Sequence, residues 1–138
     1  MTIFAVDPGG AHVGVATWKT GEELKATEID AEKWLPLFER MIKSADVVVI
    51  EKFVLYPSKA SAQSWSPMAT SEMIGAMKWI AEKAGVPVVE QGAAIKNPTR
   101  RQCKARNLKW KDNKSGHASD ALLHLQHYLI RNELQEVE

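Results

Sequence analysis

The chain has 138 residues, with 18 Lys and Arg against 17 Asp and Glu for a formal net charge of +1, and a single cysteine. That length suits one domain, 1–138, and a composition 25% charged and 45% hydrophobic is that of a soluble globular protein rather than a disordered one. Cys103 alone excludes an internal disulfide or a thiolate metal cluster within one chain; no apolar run approaches the roughly 18 residues of a membrane helix, and "MTIFAVDPGG" is no secretory signal, so a cytoplasmic location is expected.

Residues 2–7 (TIFAVD) are apolar and β-prone, and they end on a carboxylate, Asp7, at a Pro-Gly-Gly turn. Residues 11–18 (AHVGVATW) resume as a strand and close a hairpin, and 23–30 (ELKATEID) alternate as a third, half-exposed strand. Three antiparallel strands are thus expected first. Asp30 stands where it can cap a helix on which Trp34, Leu37, Phe38, Met41 and Ile42 recur at helical spacing. The continuous apolar run Val47 to Ile50 reads as a strand buried on both faces, and a strand reached through a helix is usually parallel to an earlier one.

Residues 56–69 (YPSKASAQSWSPMA) show little apolar periodicity; Thr70 or Ser71 is then expected to cap a helix of Met73, Ile74, Met77, Ile80, Ala81 and Ala84 that Gly85 ends. "VPVVEQ" supplies a fifth strand. A variable basic segment containing Pro98 follows, and a last helix runs from about Gly116 to Leu134. Three strands, helix, strand, helix, strand, basic segment, helix is the order of the ribonuclease H-like fold. The expectation is an α/β protein with a five-stranded mixed sheet, the first three strands antiparallel, flanked by helices.

In an open α/β sheet, ligands gather beyond the carboxyl ends of parallel strands. Asp7 closes the first strand and Glu51 the fourth, so parallel neighbours would bring both carboxylates to one edge. Like charges there repel unless a cation sits between them. Singly, each is ordinary strand-end or turn chemistry; the pair is less so. In "SGHASDALLHLQHYL" the helix start places His117 and Asp120 three residues apart on one face of the first turn, where the helix dipole favours an ionised Asp120. His124 and His127 read as structural, with His124 one turn beyond Asp120. Met73, Met77 and Trp79 fit either an interface or ordinary core.

Charge is unevenly spread. Between Lys96 and Lys114 the bases are Lys96, Arg100, Arg101, Lys104, Arg106, Lys109, Lys111 and Lys114, against the single acid Asp112. Such an arm suits a polyanion. Trp110 lies among these cations, where it either stacks on an unpaired base or packs beneath the arm.

"FAVDPGGAHVGVAT", "VVVIEKF" and "GHASDALLH", in that order and spacing, together resemble the RuvC-like Holliday junction resolvases, in particular the compact bacteriophage type. The resemblance spans nearly the whole chain; a shortened middle and an atypical region after Glu51 depart from it. It implies catalytic and metal-binding roles for Asp7, Glu51, His117 and Asp120, with His117 a ligand or a group that orients water. It implies magnesium, replaceable by manganese, as the cofactor of a phosphodiester hydrolase acting on branched DNA, and a homodimer in the host bacterial cytoplasm. Phe53 and Tyr56 stand near where the family carries junction-opening aromatics, and Trp65 is a further candidate for the cleft. Three other readings compete: a ribonuclease H-type hydrolase of RNA-DNA hybrids, a nucleotide-binding protein of the actin and sugar-kinase type suggested by "DPGGAHVG", and a non-catalytic binder of branched DNA. The nucleotide binders need two duplicated domains, which this length does not supply.

Overall fold

The structure is a computed structural model and describes residues 1–52, 66–105 and 116–134. In chain order the described elements are β1 (Thr2–Asp7), β2 (His12–Lys19), β3 (Lys25–Asp30), α1 (Ala31–Met41), β4 (Val47–Glu51), α2 (Ser66–Ala84), β5 (Val88–Gln91), α3 (Lys96–Ala105) and α4 (Gly116–Arg131). They form one mixed sheet in the order β3-β2-β1-β4-β5. β1 pairs antiparallel with β2, and β2 with β3, while β4 runs parallel to both β1 and β5. The expected sheet is therefore the observed one. None of the described helices is long and apolar enough to cross a membrane.

Alternation along the strands sorts the core into two layers. On one face Val6, Val13, Val15, Val48 and Ile50 meet Trp34 and Phe38 of α1 and Met73, Ile74, Met77 and Ala81 of α2. On the other, Ile3, Ala5, Ala16, Val47 and Val49 meet Ala121, Leu122, Leu125 and Leu129 of α4. Met73 and Met77 thus belong to the core, and the Trp34 indole donates to Met77 Sδ at 3.3 Å. Trp79 differs: the residue is 61% exposed, with the Lys83 ammonium 5.2 Å from its ring centroid.

Three local expectations need correction. α2 begins at Ser66, a turn before Thr70 or Ser71, because Ser66-Pro67 already supplies an initiation signal: proline is tolerated in a first turn, where no N–H is required. Thr70 is buried within that helix. Gly85 does end it, at φ +72°, with Val86 N–H bonded back to Ala81 O at 2.9 Å. Asp30 precedes α1 but makes no side-chain cap; its carboxylate lies 3.5 Å from His12 Nδ1, which faces it across the β2–β3 register, and 3.9 Å from Lys33 Nζ. The basic segment is helical over Lys96–Ala105, with Pro98 in its first turn and Thr99 and Cys103, one turn apart, buried beneath it. Thr99 Oγ1 donates to Ile95 O at 2.7 Å and lies 3.3 Å from His127 Nδ1, which ties α3 to α4.

The approach of α4 to the sheet is unusually close at one point. A Cβ placed on Gly14, opposite Asp7 in the β1–β2 register, would lie 1.9 Å from the backbone oxygen of His117. Any side chain there drives the first turn of α4 away from the sheet. Gly14→Ala should lower stability in a urea titration by about 1–3 kcal/mol, the usual cost of overpacking; an unchanged midpoint would show that α4 does not depend on this contact.

Candidate active site

Residues from four elements meet beyond the carboxyl edge of β1 and β4. Val6 pairs with Ile50, so Asp7 and Glu51 follow level with one another at the ends of parallel strands. Ile3 and Ala5, like Val47 and Val49, point to the α4 layer, and the same alternation carries Asp7 and Glu51 to that side. α4 contributes Asp120, which lies just past the first turn rather than within it, because the helix begins at Gly116. One oxygen from each of Asp7, Glu51 and Asp120 lies within 4.8 Å of the others.

Three nitrogen-bearing side chains surround this cluster. Lys96 Nζ, at the start of α3, lies 3.2 Å from Glu51 Oε1 and 3.2 Å from Asp120 Oδ2. His117 Nδ1 lies 3.0 Å from Asp7 Oδ2, its ring seated over Gly9, where a Cβ would come within 2.8 Å of His117 Cε1. His124, fully buried, places Nε2 3.3 Å from Glu51 Oε2 and Nδ1 2.8 Å from Gln91 Oε1.

Burial and proximity set the charges. Asp7 is raised from 3.8 to about 9, first by burial and then by its hydrogen bond with Glu51 and by the Glu51 and Asp120 charges, against the opposing pull of Lys96. Burial also pushes Glu51 up, but hydrogen bonds from His124 and Asp7 together with the His124 and Lys96 charges outweigh it and hold the group at about 2. The pair shares one proton, carried by Asp7. Lys96 is shifted upward: burial works against its charge, and the Glu51 and Asp120 carboxylates overcome it.

The donor set fits a hard divalent cation. Three converging carboxylates are oxygen ligands of the kind magnesium and manganese take. Glu51 Oε2 is buried without a well-formed hydrogen bond, and a lysine ammonium lies between Glu51 and Asp120, where positive charge is needed.

Asp7, Glu51 and Asp120 are brought together as the sequence suggests, and His117 stands beside them, bonded to Asp7 rather than within the carboxylate set. Lys96, which the sequence groups with the basic arm, instead lies in the cluster. Arg100, Arg101 and Lys104 are exposed on α3. Phe53, Tyr56, Trp65, Arg106, Lys109, Trp110, Lys111 and Lys114 lie outside the described residues. Sequence reasoning misses the part played by His124 and Gln91. A signal for both exists: Asp120 and His124 are one helical turn apart, and Val89-Glu90-Gln91 repeats on β5 the alternation that ends in Glu51 on β4.

No protein-family model matches the sequence, and no curated protein is detectably similar to it. Solved structures are. Thermus thermophilus RuvC in complex with a Holliday junction substrate superposes with a TM-score of 0.65 at 18% identity, covering 100% of this chain and 99% of that one. The chain has the RuvC fold. A second T. thermophilus RuvC structure superposes with a TM-score of 0.61 at 16% identity over 100% of both chains. YeaZ from Pseudomonas aeruginosa follows with a TM-score of 0.55 at 10% identity, covering 99% of this chain and 97% of that one. The RuvC fold, a ribonuclease H-like mixed sheet with helices on both faces, is what these likenesses establish.

In the folded chain Asp7 keeps its proton up to about pH 9, whereas an unfolded aspartate gives it up near 3.8. Folding therefore takes up a proton between those values, and this contribution to stability is complete below about pH 4 and is lost as pH rises towards 9. Asp7→Asn stays neutral throughout. In the presence of a chelator the variant should exceed the wild type by roughly 0.5–2 kcal/mol at pH 8, in the range of relieved active-site strain, with the margin shrinking towards pH 5. Denaturant titrations at several pH values measure it, and a margin that does not change with pH would contradict the shared proton.

Proposed function

We propose that the protein is a metal-dependent endonuclease, a single RuvC-like domain that hydrolyses phosphodiester bonds in branched DNA such as four-way junctions and replication forks. The observation that carries this reading is the convergence of Asp7, Glu51 and Asp120 from two parallel strand ends and a helix start, on a fold shared with RuvC over its full length. One of those RuvC structures holds a Holliday junction substrate.

Asp7, Glu51 and Asp120 would hold the cations, with magnesium as the natural occupant and manganese as its substitute. Divalent cations bound there would supply charge that lowers the pKa of an attacking water and neutralises a leaving oxygen. The protein's own groups prepare for this. Asp7 would give up its proton to serve as a ligand, and rigid strand ends fix the two carboxylates in advance. His117, with Nδ1 held by Asp7, offers Nε2 for a water proton. Lys96 brings a cation to within reach of a phosphate seated on the carboxylates.

α3 extends the site outward. Arg100 and Lys104 follow Lys96 at successive intervals of four residues, so a stripe of cations leads away from the carboxylates, with Arg101 beside it. This stripe suits a DNA backbone. Symmetrical cutting of a four-way junction needs two such sites related by a two-fold axis, which makes a homodimer part of the proposal.

End-labelled four-way junction, fork, linear duplex and RNA-DNA hybrid, offered with magnesium or manganese, test the reading. Cleavage of branched DNA by the wild type and a loss of more than about a hundredfold in Asp7→Asn and Glu51→Gln is expected. Cleavage of the hybrid alone would make the protein a ribonuclease H-type hydrolase, and binding without any cleavage would withdraw the enzyme. The triple variant Arg100→Ala, Arg101→Ala, Lys104→Ala should bind junctions more weakly. Its plot of log affinity against log salt should be shallower by about two to three, one counterion for each phosphate that the missing cations would neutralise.

A further inference from the structure

Glu51 is held from two sides by unlike groups. Oε1 lies 3.2 Å from the Lys96 ammonium, while Oε2 is buried and faces His124 Nε2 at 3.3 Å. His124 is in turn approached at Nδ1 by the Gln91 amide, 2.8 Å away. Gln91 pairs with Glu51 across the β4–β5 register, and Gln91 O accepts from Lys52 N–H at 2.7 Å, so the amide stands on the strand beside its target. The line Gln91–His124–Glu51 thus joins β5, α4 and β4.

Its placement is costly as packing. His124 is 0% exposed and Gln91 8%, both on the α4 side of the sheet, where Val89, Leu122 and Leu125 make the layer apolar. A leucine at either position would fill the space without the desolvation that a buried polar group suffers. What the pair supplies is orientation. With Lys96 on Oε1 alone, the Glu51 carboxylate could still turn about its last torsion and exchange its oxygens; a second group at Oε2 opposes that turn.

Resting on the nuclease reading of the site, we propose that His124, braced by Gln91, is a positioning residue that fixes the rotation of the Glu51 carboxylate, so that Glu51 presents a preset oxygen to a cation bound at the carboxylate cluster. His124 touches neither substrate nor metal in this role. It acts on metal affinity through Glu51.

Calorimetric titration of manganese into the full chain without DNA tests this, with thermal unfolding recorded for each variant. His124→Leu should bind manganese about tenfold more weakly or worse, the usual cost of removing a group that orients a ligand. His124→Gln, whose amide nitrogen can take the place of Nε2, should recover most of that loss, and Gln91→Leu should lose a few-fold. A role in packing alone predicts no such rescue. Wild-type affinity in His124→Leu overturns the proposal, as does a His124→Gln no better than His124→Leu when both melt with the wild type. Should His124→Leu fail to fold, Gln91→Leu decides, and unchanged affinity there overturns it equally. A wild type that cuts branched DNA while His124→Leu binds metal normally removes only this inference; a wild type that takes up no manganese removes the nuclease reading and the inference with it.

Discussion

The contact between the start of α4 and Gly14 is the constraint on which the rest depends. Nothing larger than a hydrogen can occupy that point of β2, because the His117 carbonyl already fills the space a Cβ would need. The close fit lowers α4 onto the sheet beside the end of β1, and it brings His117 and Asp120 into range of Asp7. Gly9 does the same for the His117 ring. Two glycines near a strand end thus define a site whose reactive groups all come from elsewhere. The Gly14 contact is stiff, since neither partner there is a flexible side chain that could move aside.

Stiffness has an electrostatic counterpart. Three carboxylates confined within 4.8 Å repel, and the fold tolerates them by retaining a proton on Asp7, by hydrogen bonds with His117 and Lys96, and by the approach of His124 to Glu51. Each of these partners comes from α3 or α4, whereas Asp7 and Glu51 come from the sheet. The charge balance is therefore also a tertiary tie, joining the helical layer to the strand ends at the point where apolar packing gives out.

Much of this is readable from the sequence, for identifiable reasons. The sheet follows from apolar runs of strand length and from one helix-linked parallel pair, and the carboxylates follow from their place at the ends of β1 and β4. What sequence does not yield has physical causes too. Lys96 groups with its basic neighbours because charge along a chain is one-dimensional, while the turn before α3 sends this one lysine inward and leaves Arg100 and Arg101 outside. Ser66-Pro67 escapes notice because apolar periodicity starts later than the helix itself. His124 looks like a core histidine and is one; only the fold reveals that it lies between Gln91 of the neighbouring strand and Glu51. The likeness of one fold to both RuvC and YeaZ makes the same point at larger scale, since side chains at the strand ends carry information that topology does not.

Lys96 has a further consequence. Small metalloproteins whose ligands have no other counter-charge fold only when loaded, and chelation unfolds them. Here the site carries a tethered counter-ion, an ammonium supplied by the chain itself and 3.2 Å from two of the three carboxylates. It cannot be dialysed away. Part of the neutralisation at the strand ends is therefore covalently built in, a property of the chain rather than of its surroundings.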